Sequence, residues 1–175
     1  MPRRRIYTTN YDDAVEFAYF QNHNQAPSFN YDDETPRKLL SGAVIHLHGV
    51  IRSATEENVL DQLMLNENAY IRQHFEKSPW YDHFDHDLRF CSACFFIGYS
   101  LTDYHITALL MRNPTVRDKT YFVTPESYDE LFANRVAPYG TILPIASEGF
   151  ADLCSYPAPA RTHQRSPCSQ ILPVS

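Results

Sequence analysis

An asparagine at position 10 and a histidine at position 48 each close a short apolar run, in Tyr7-Thr8-Thr9-Asn10-Tyr11-Asp12 and His46-Leu47-His48-Gly49. A carboxamide both donates and accepts hydrogen bonds, which suits it to fixing a water or a hydroxyl. An imidazole exchanges protons near neutral pH and can serve as a base. The same passage from apolar run to polar side chain recurs at Phe95-Phe96-Ile97-Gly98-Tyr99-Ser100 and at Tyr121-Phe122-Val123-Thr124-Pro125. Ligands of open α/β sheets bind outside the carboxyl ends of the strands, so these ends together predict one site.

Plainer roles compete for the same residues. Asparagine favours turns and caps, and Ser100 and Asp103 are ordinary capping types. His48 before Gly49 fits a strand exit. His46 lies two residues back on the same strand face and reads as a packed or hydrogen-bonded histidine. Arg3 to Arg5 read as a solvated strand start.

The elements that must position these groups alternate between strand and helix. Arg5 to Thr9 reads as strand and Asp12 to His23 as helix, with Asp12, Asp13 and Glu16 favourable in its first turn. Residues 24 to 41 lack periodicity and read as a loop, and Ala43 to His48 reads as strand. Residues 56 to 77 place Leu60, Leu63, Met64, Ile71 and Phe75 at near-helical spacing. A helix from Tyr81 to Phe90 leads into Ala93 to Ile97, a strand without alternation, as expected when both faces are covered. Thr102 or Asp103 can cap a helix to about Arg112, which Asn113-Pro114 stops. Tyr121 to Val123, Glu126 to Val136, Thr141 to Ile145 and Glu148 to Cys154 follow as strand, helix, strand and helix. Such alternation predicts right-handed crossovers and a mostly parallel sheet in residues 1 to 155. Pro157, Pro159, Pro167 and Pro173 with scattered Ser make residues 156 to 175 a flexible tail.

Bulk composition narrows the function. A chain of 175 residues with 43% hydrophobic and 14% aromatic content supports a globular core. A net charge of −6 argues against a broad nucleic-acid surface, so no direct nucleic-acid partner is expected. No apolar run approaches the roughly 20 residues that span a bilayer, and no secretory signal opens the chain. Four cysteines without framework spacing point to a reducing cytoplasm, with no membrane partner.

Thr8-Thr9-Asn10-Tyr11-Asp12, Leu47-His48-Gly49 and Ile97-Gly98-Tyr99-Ser100-Leu101-Thr102-Asp103 occur in this order with helices between them. The set resembles the bacterial sirtuin-like domain over about residues 5 to 153. Asp61 to Tyr70 and Leu143 to Leu153 are also similar to family segments. The resemblance implies a Rossmann-like, mostly parallel sheet with helices on both faces. It also implies NAD as substrate, hydrolysed to nicotinamide and ADP-ribose, with no metal, and a role in antiphage defence. By it, Asn10 matches the asparagine near the nicotinamide ribose, Asp12 the acidic residue two positions on, and His48 the catalytic histidine. Gly98 and Ser100 match the second nucleotide-binding turn, with Thr9, Gly49 and Asp103 as further cofactor-binding positions.

Two departures from the family pattern carry expectations of their own. The family opens with a glycine-rich turn, whereas Gly42, Gly49, Gly98, Gly140 and Gly149 form no G-x-G. The chain therefore reads as lacking the first βα unit and as inactive alone, dependent on a homo-oligomer or a companion defence subunit. The four-cysteine zinc module of deacetylases is also missing, which argues against protein deacetylation.

NAD hydrolysis suits this small set of groups. Nicotinamide leaves as a neutral ring, so no strong general acid is needed, and the turn before Asp103 offers backbone N–H groups to an anion. Two other readings stand beside it. A metal-dependent hydrolase could draw on His46, His48 and Asp82-His83-Phe84-Asp85-His86-Asp87, although that run reads better as a solvated helix face. Cys91 and Cys94 read as buried thiols. The third reading is a non-catalytic nucleotide-sensing or interaction subunit.

Overall fold

The computed structural model describes residues 5–22, 25–38, 41–56, 59 and 78–155. Strand β1 (Arg5–Thr8) turns through Asn10 into α1 (Ala14–Gln21), followed by β2 (Ser28–Asn30) and β3 (Ala43–His46). Helix α2 (Pro79–Phe90) precedes β4 (Cys94–Ile97) and α3 (Tyr104–Arg112). The described chain closes with β5 (Thr120–Val123), α4 (Glu130–Val136), β6 (Thr141–Leu143) and α5 (Ala146–Ser155). Short 3-10 turns occupy Ile51–Ser53 and Pro114–Lys119.

Among the described residues all strand pairings are parallel, as the alternation of elements predicts, but they form two sheets of three strands, ordered β1-β3-β2 and β4-β5-β6. Central position explains the burial of β3, where Ala43, Val44, Ile45 and His46 are all fully enclosed. Helix α2 starts at Ser78, whose hydroxyl accepts from Trp80 N, with Pro79 in the first turn, where its missing N–H costs nothing. Its Trp80, Phe84 and Leu88 recur every four residues and form one buried stripe. That stripe joins Ala43, Ile45 and Leu47 of the first sheet to Phe96 and Phe122 of the second, so both sheets share one interior. Each such side chain contributes about 1.5–3 kcal/mol by leaving water.

Several expectations give way to the structure. Strand β2 lies inside the stretch read as loop, because three residues on a sheet edge are too few to show a period. Strand β4 is covered unequally: Phe96 is buried, whereas on the other face Phe95, which packs against Tyr121 and Phe150, and Ile97 are 40% and 51% exposed. The Asp/His run of α2 is a solvated face only in part, at the exposed Asp82 and His86. Asp85 is buried and held by Arg89 and by Asn113 Nδ2 at 2.7 Å, and Asp87 is held by Arg5 and by the Tyr7 hydroxyl at 2.7 Å. Arg5 accordingly is a buried-end ion-pair partner rather than a solvated strand start. Helix α4 begins at Glu130 because Asp129 caps it, accepting from Phe132 N at 2.6 Å. The expected helix over 56–77, the Asp61 to Tyr70 segment and the tail over 156–175 lie outside the described residues, apart from residue 56 and Val59. Among the described residues no helix is long and apolar enough to cross a membrane.

Candidate functional site

Register places the first two candidate groups. Thr8 pairs with His46 in the parallel β1–β3 ladder, so two steps further Asn10 and His48 leave adjacent strands at the same end. Backbone bonds then fix the exit of β1. Leu47 N donates to Thr8 O at 2.9 Å, Ile51 N donates to Tyr11 O at 2.8 Å, and Asn10 N donates to Thr8 Oγ1 at 3.0 Å. The fully buried His46 ring reaches Asn10 O with Nδ1 at 3.3 Å and Glu16 Oε1 with Nε2 at 2.8 Å. Asn10 itself is exposed.

His48 meets a carboxylate contributed by the cap of α3, which follows β4 of the other sheet. Its Nε2 lies 2.7 Å from Asp103 Oδ2, with both side chains largely enclosed. Asp103 divides its two oxygens: Oδ1 accepts from His105 N at 2.8 Å and Ile106 N at 3.1 Å, capping α3, which frees Oδ2 to face the imidazole. Burial raises the Tyr11 hydroxyl above its ordinary value, and the negative charge of Asp103 adds to the rise. The residue after Asn10 thus senses the partner of His48, and the two strand ends form one neighbourhood. A carboxylate this close to an imidazole stabilises its protonated form, which is what a general base needs.

The loop from β4 to α3 is strained in the way a closely shaped turn demands. Gly98 sits at φ +63° and Leu101 at φ +59°, a region that costs an L side chain about 1–2 kcal/mol. Ser100 is exposed and shares a hydrogen bond of 2.9 Å with Thr102.

Of the sequence candidates, Asn10, His48 and Asp103 share one region. Thr9 is half-buried beside them, and Gly49 makes the β3 exit turn at φ +96°. Asp12 is exposed and turned to structure, accepting from Ala14 N at 3.0 Å. Thr124, at the fourth strand end, is buried and donates to Pro125 O at 3.1 Å. The N–H groups of His105 and Ile106 serve Asp103, and Gly98 N donates to Val123 O at 3.4 Å. The expected anion cradle before α3 is therefore occupied at those positions by the protein's own acceptors.

Sequence reading missed three contributors. Tyr11 and Glu16 sit beside candidates without a motif of their own, and Asp103 as the partner of His48 spans 55 positions, a pairing only the fold reveals. Among the described residues no group of three or more His, Cys, Asp or Glu could hold a metal ion. His46 and His48 address separate carboxylates, Glu16 and Asp103. Cys91 and Cys94 are free and half-buried, and burial pushes the Cys94 thiol up to about 12, which leaves it inert. A depression of roughly 530 Å³ on α1 is lined by Ala14, Val15, Ala18, Tyr19 and Asn22, none of them candidates.

Parallel strands with helical crossovers, carrying polar groups past their carboxyl ends, define a Rossmann-like α/β protein. The family model of the SIR2-like domain matches residues 4–141, and the chain belongs to that family. SIR2-like domains bind NAD, and membership indicates an NAD-dependent function in general. No curated protein matches the chain.

Proposed function

We propose that this chain is an NAD-hydrolysing domain of a defence-type system, cleaving NAD to nicotinamide and ADP-ribose. The observation that carries this reading is the 2.7 Å His48–Asp103 pair beside the Asn10 turn. The C1′–N1 glycosidic bond breaks with its electron pair passing to the pyridinium, which leaves as neutral nicotinamide. Positive charge then develops at C1′. A water adds there and loses a proton, which His48 accepts, with Asp103 stabilising the resulting imidazolium. Asn10 positions the water or a ribose hydroxyl through its carboxamide. Thr9, Gly49, Gly98 and Ser100 line the approach for ribose and phosphate. General-base assistance of this kind is worth roughly 10²- to 10⁴-fold.

Chromatography of NAD incubated with the purified chain, alone and with candidate companion subunits, tests the reading. Nicotinamide and ADP-ribose should appear in equal amounts, and Asn10→Ala or His48→Ala should abolish them while circular dichroism stays unchanged. Full activity in both variants refutes the mechanism. Survival under phage challenge of cells carrying the gene, lost with His48→Ala, tests the defence role.

Exposed Phe95 and Ile97 on β4 favour a second reading, an interaction subunit that docks a companion polypeptide or another copy. It prevails if the purified chain neither binds nor cleaves NAD yet confers binding on a companion that lacks it.

A further inference from the structure

The buried His46 ring touches two groups that ask for the same thing. Its Nδ1 is 3.3 Å from the Asn10 carbonyl and its Nε2 is 2.8 Å from Glu16 Oε1. A carbonyl only accepts, and an ionised carboxylate only accepts. A neutral imidazole owns one N–H, so it can satisfy one neighbour and must turn a lone pair toward the other. The ring is wholly enclosed, so water cannot relieve that conflict.

We propose that His46 and Glu16 form a charged positioning clamp, with the imidazole doubly protonated, that holds the Asn10 turn in its working geometry. This rests on the reading that Asn10 acts on NAD. Glu16 is the partner that keeps the extra proton in place. Burial alone would raise its carboxyl, but hydrogen bonds from Ser28 and His46 outweigh burial and hold it below the usual carboxylate range. With an acceptor against each ring nitrogen, the geometry asks for an N–H on both. Other groups facing the pair are the Ser28 hydroxyl on β2 and Arg52 from the 3-10 turn, whose Nη2 lies 3.4 Å from the same Glu16 oxygen.

The clamp joins both ends of the β1–α1 connection, Asn10 at its start and Glu16 in the first helical turn. The carbonyls on either side are tied by backbone N–H groups, Thr8 O by Leu47 and Tyr11 O by Ile51. Asn10 O is the one carbonyl of this set held by a side chain, so it is the one a protonation change can release. Because Asn10 is exposed, its carboxamide inherits direction from this backbone anchor. Charge-assisted hydrogen bonds are about twice as strong as neutral ones, which suits a ring that must brace an exposed turn.

Nitrogen NMR of the histidine rings reads the claim directly, without NAD. At pH 7 both ring nitrogens of His46 should carry protons, and in Glu16→Gln one of them should be lost. Hydrogen exchange at the Asn10 and Tyr11 amides should speed up in Glu16→Gln while the β5 amides keep their protection. For NAD cleavage, kcat should fall roughly tenfold with Kd for NAD within about twofold, since positioning is lost and binding is not. His46→Phe keeps an aromatic ring with neither hydrogen bond and should match the kcat loss and the faster exchange. A wild-type His46 ring with a single N–H overturns the clamp, as does a Glu16→Gln protein with unchanged exchange. A doubly protonated ring and loosened turn in a protein that cleaves no NAD supports the clamp and rejects the hydrolase reading instead.

Discussion

Asp103 performs two tasks with two oxygens, and the substitution Asp103→Asn separates them. Oδ1 accepts from His105 N and Ile106 N, whereas Oδ2 lies 2.7 Å from His48 Nε2. Asparagine caps helices as well as aspartate does, so its carbonyl oxygen should take over the α3 cap with little loss, about 0.5 kcal/mol or less. That choice points the NH₂ group at His48. An NH₂ only donates, so it selects the neutral ring with its lone pair on Nε2 and opposes the imidazolium. Hydrogen bonds to charged groups are worth about 1.5–3 kcal/mol, which converts at about 1.4 kcal/mol per decade to a loss of roughly 10- to 150-fold in kcat. Asp103→Ala should lose the same catalytic factor and in addition about 1 kcal/mol of stability with the cap. Nicotinamide release followed by chromatography, paired with thermal melts of both variants, separates the two effects. Activity of Asp103→Asn within about twofold of wild type would show that Asp103 merely caps α3, since any real base effect is far larger. Loss of activity that tracks melting temperature equally in both variants would also reduce Asp103 to a cap.

Asp87→Asn should lower stability by roughly 1–2 kcal/mol at pH 7, because Asp87 ties β1 to α2 through Arg5 and the Tyr7 hydroxyl. Burial alone would raise the Asp87 carboxyl, but those two partners hold it below its ordinary value. A depressed carboxylate contributes stability above the unfolded value near 3.9, and that contribution is lost as pH falls through the folded value. The melting-temperature gap between wild type and variant should therefore be full at pH 6 and narrow progressively as pH falls below about 4; a gap that does not narrow on acidification refutes the ion-pair account. Gly98→Ala should cost about 1–2 kcal/mol from its φ of +63° alone, because an added Cβ meets nothing within 4 Å, and Gly98→Asn should cost less. Gly140→Ala should cost more than either, since its Cβ would stand 2.4 Å from Thr120 O; equal melting temperatures would contradict the packing of β5.

The strand ends were legible in the sequence because each joins an apolar run to a polar residue, a pattern that local chemistry alone produces. Asn10 and His48 could be named from that pattern, and their departure from adjacent strands at the same end follows from parallel register, which the helix between β1 and β3 foretells. Helix starts were legible to within a residue where capping types stand, as with Thr102 and Asp103 before α3, of which Asp103 is the cap. What the sequence hid is pairing at long range. Asp85 and Asp87 look like solvent-facing charges in a run of alternating Asp and His, and only the approach of β1 and α3 buries them against Arg5 and Asn113. Strand β4 misled in the other direction. Its unbroken apolar run predicts cover on both faces, yet Phe95 and Ile97 remain partly exposed even with Phe150 of α5 against Phe95, so hydrophobicity here marks a partly covered face rather than a buried centre.

The site owes its order to histidines used in opposite ways. Two residues apart on one strand exit, His46 and His48 each face a carboxylate, but one carboxylate arrives from helix α1 and the other from the cap of α3. His46 is sealed and grips backbone, which fits the clamp proposed for it. His48 is the less enclosed ring, 12% exposed against 1%, which fits the base proposed for it. A base must exchange with its substrate, whereas a clamp must not. The spacing His46-Leu47-His48 imposes this order of burial, with the deeper ring on the strand and the outer ring two steps past it, beyond Leu47.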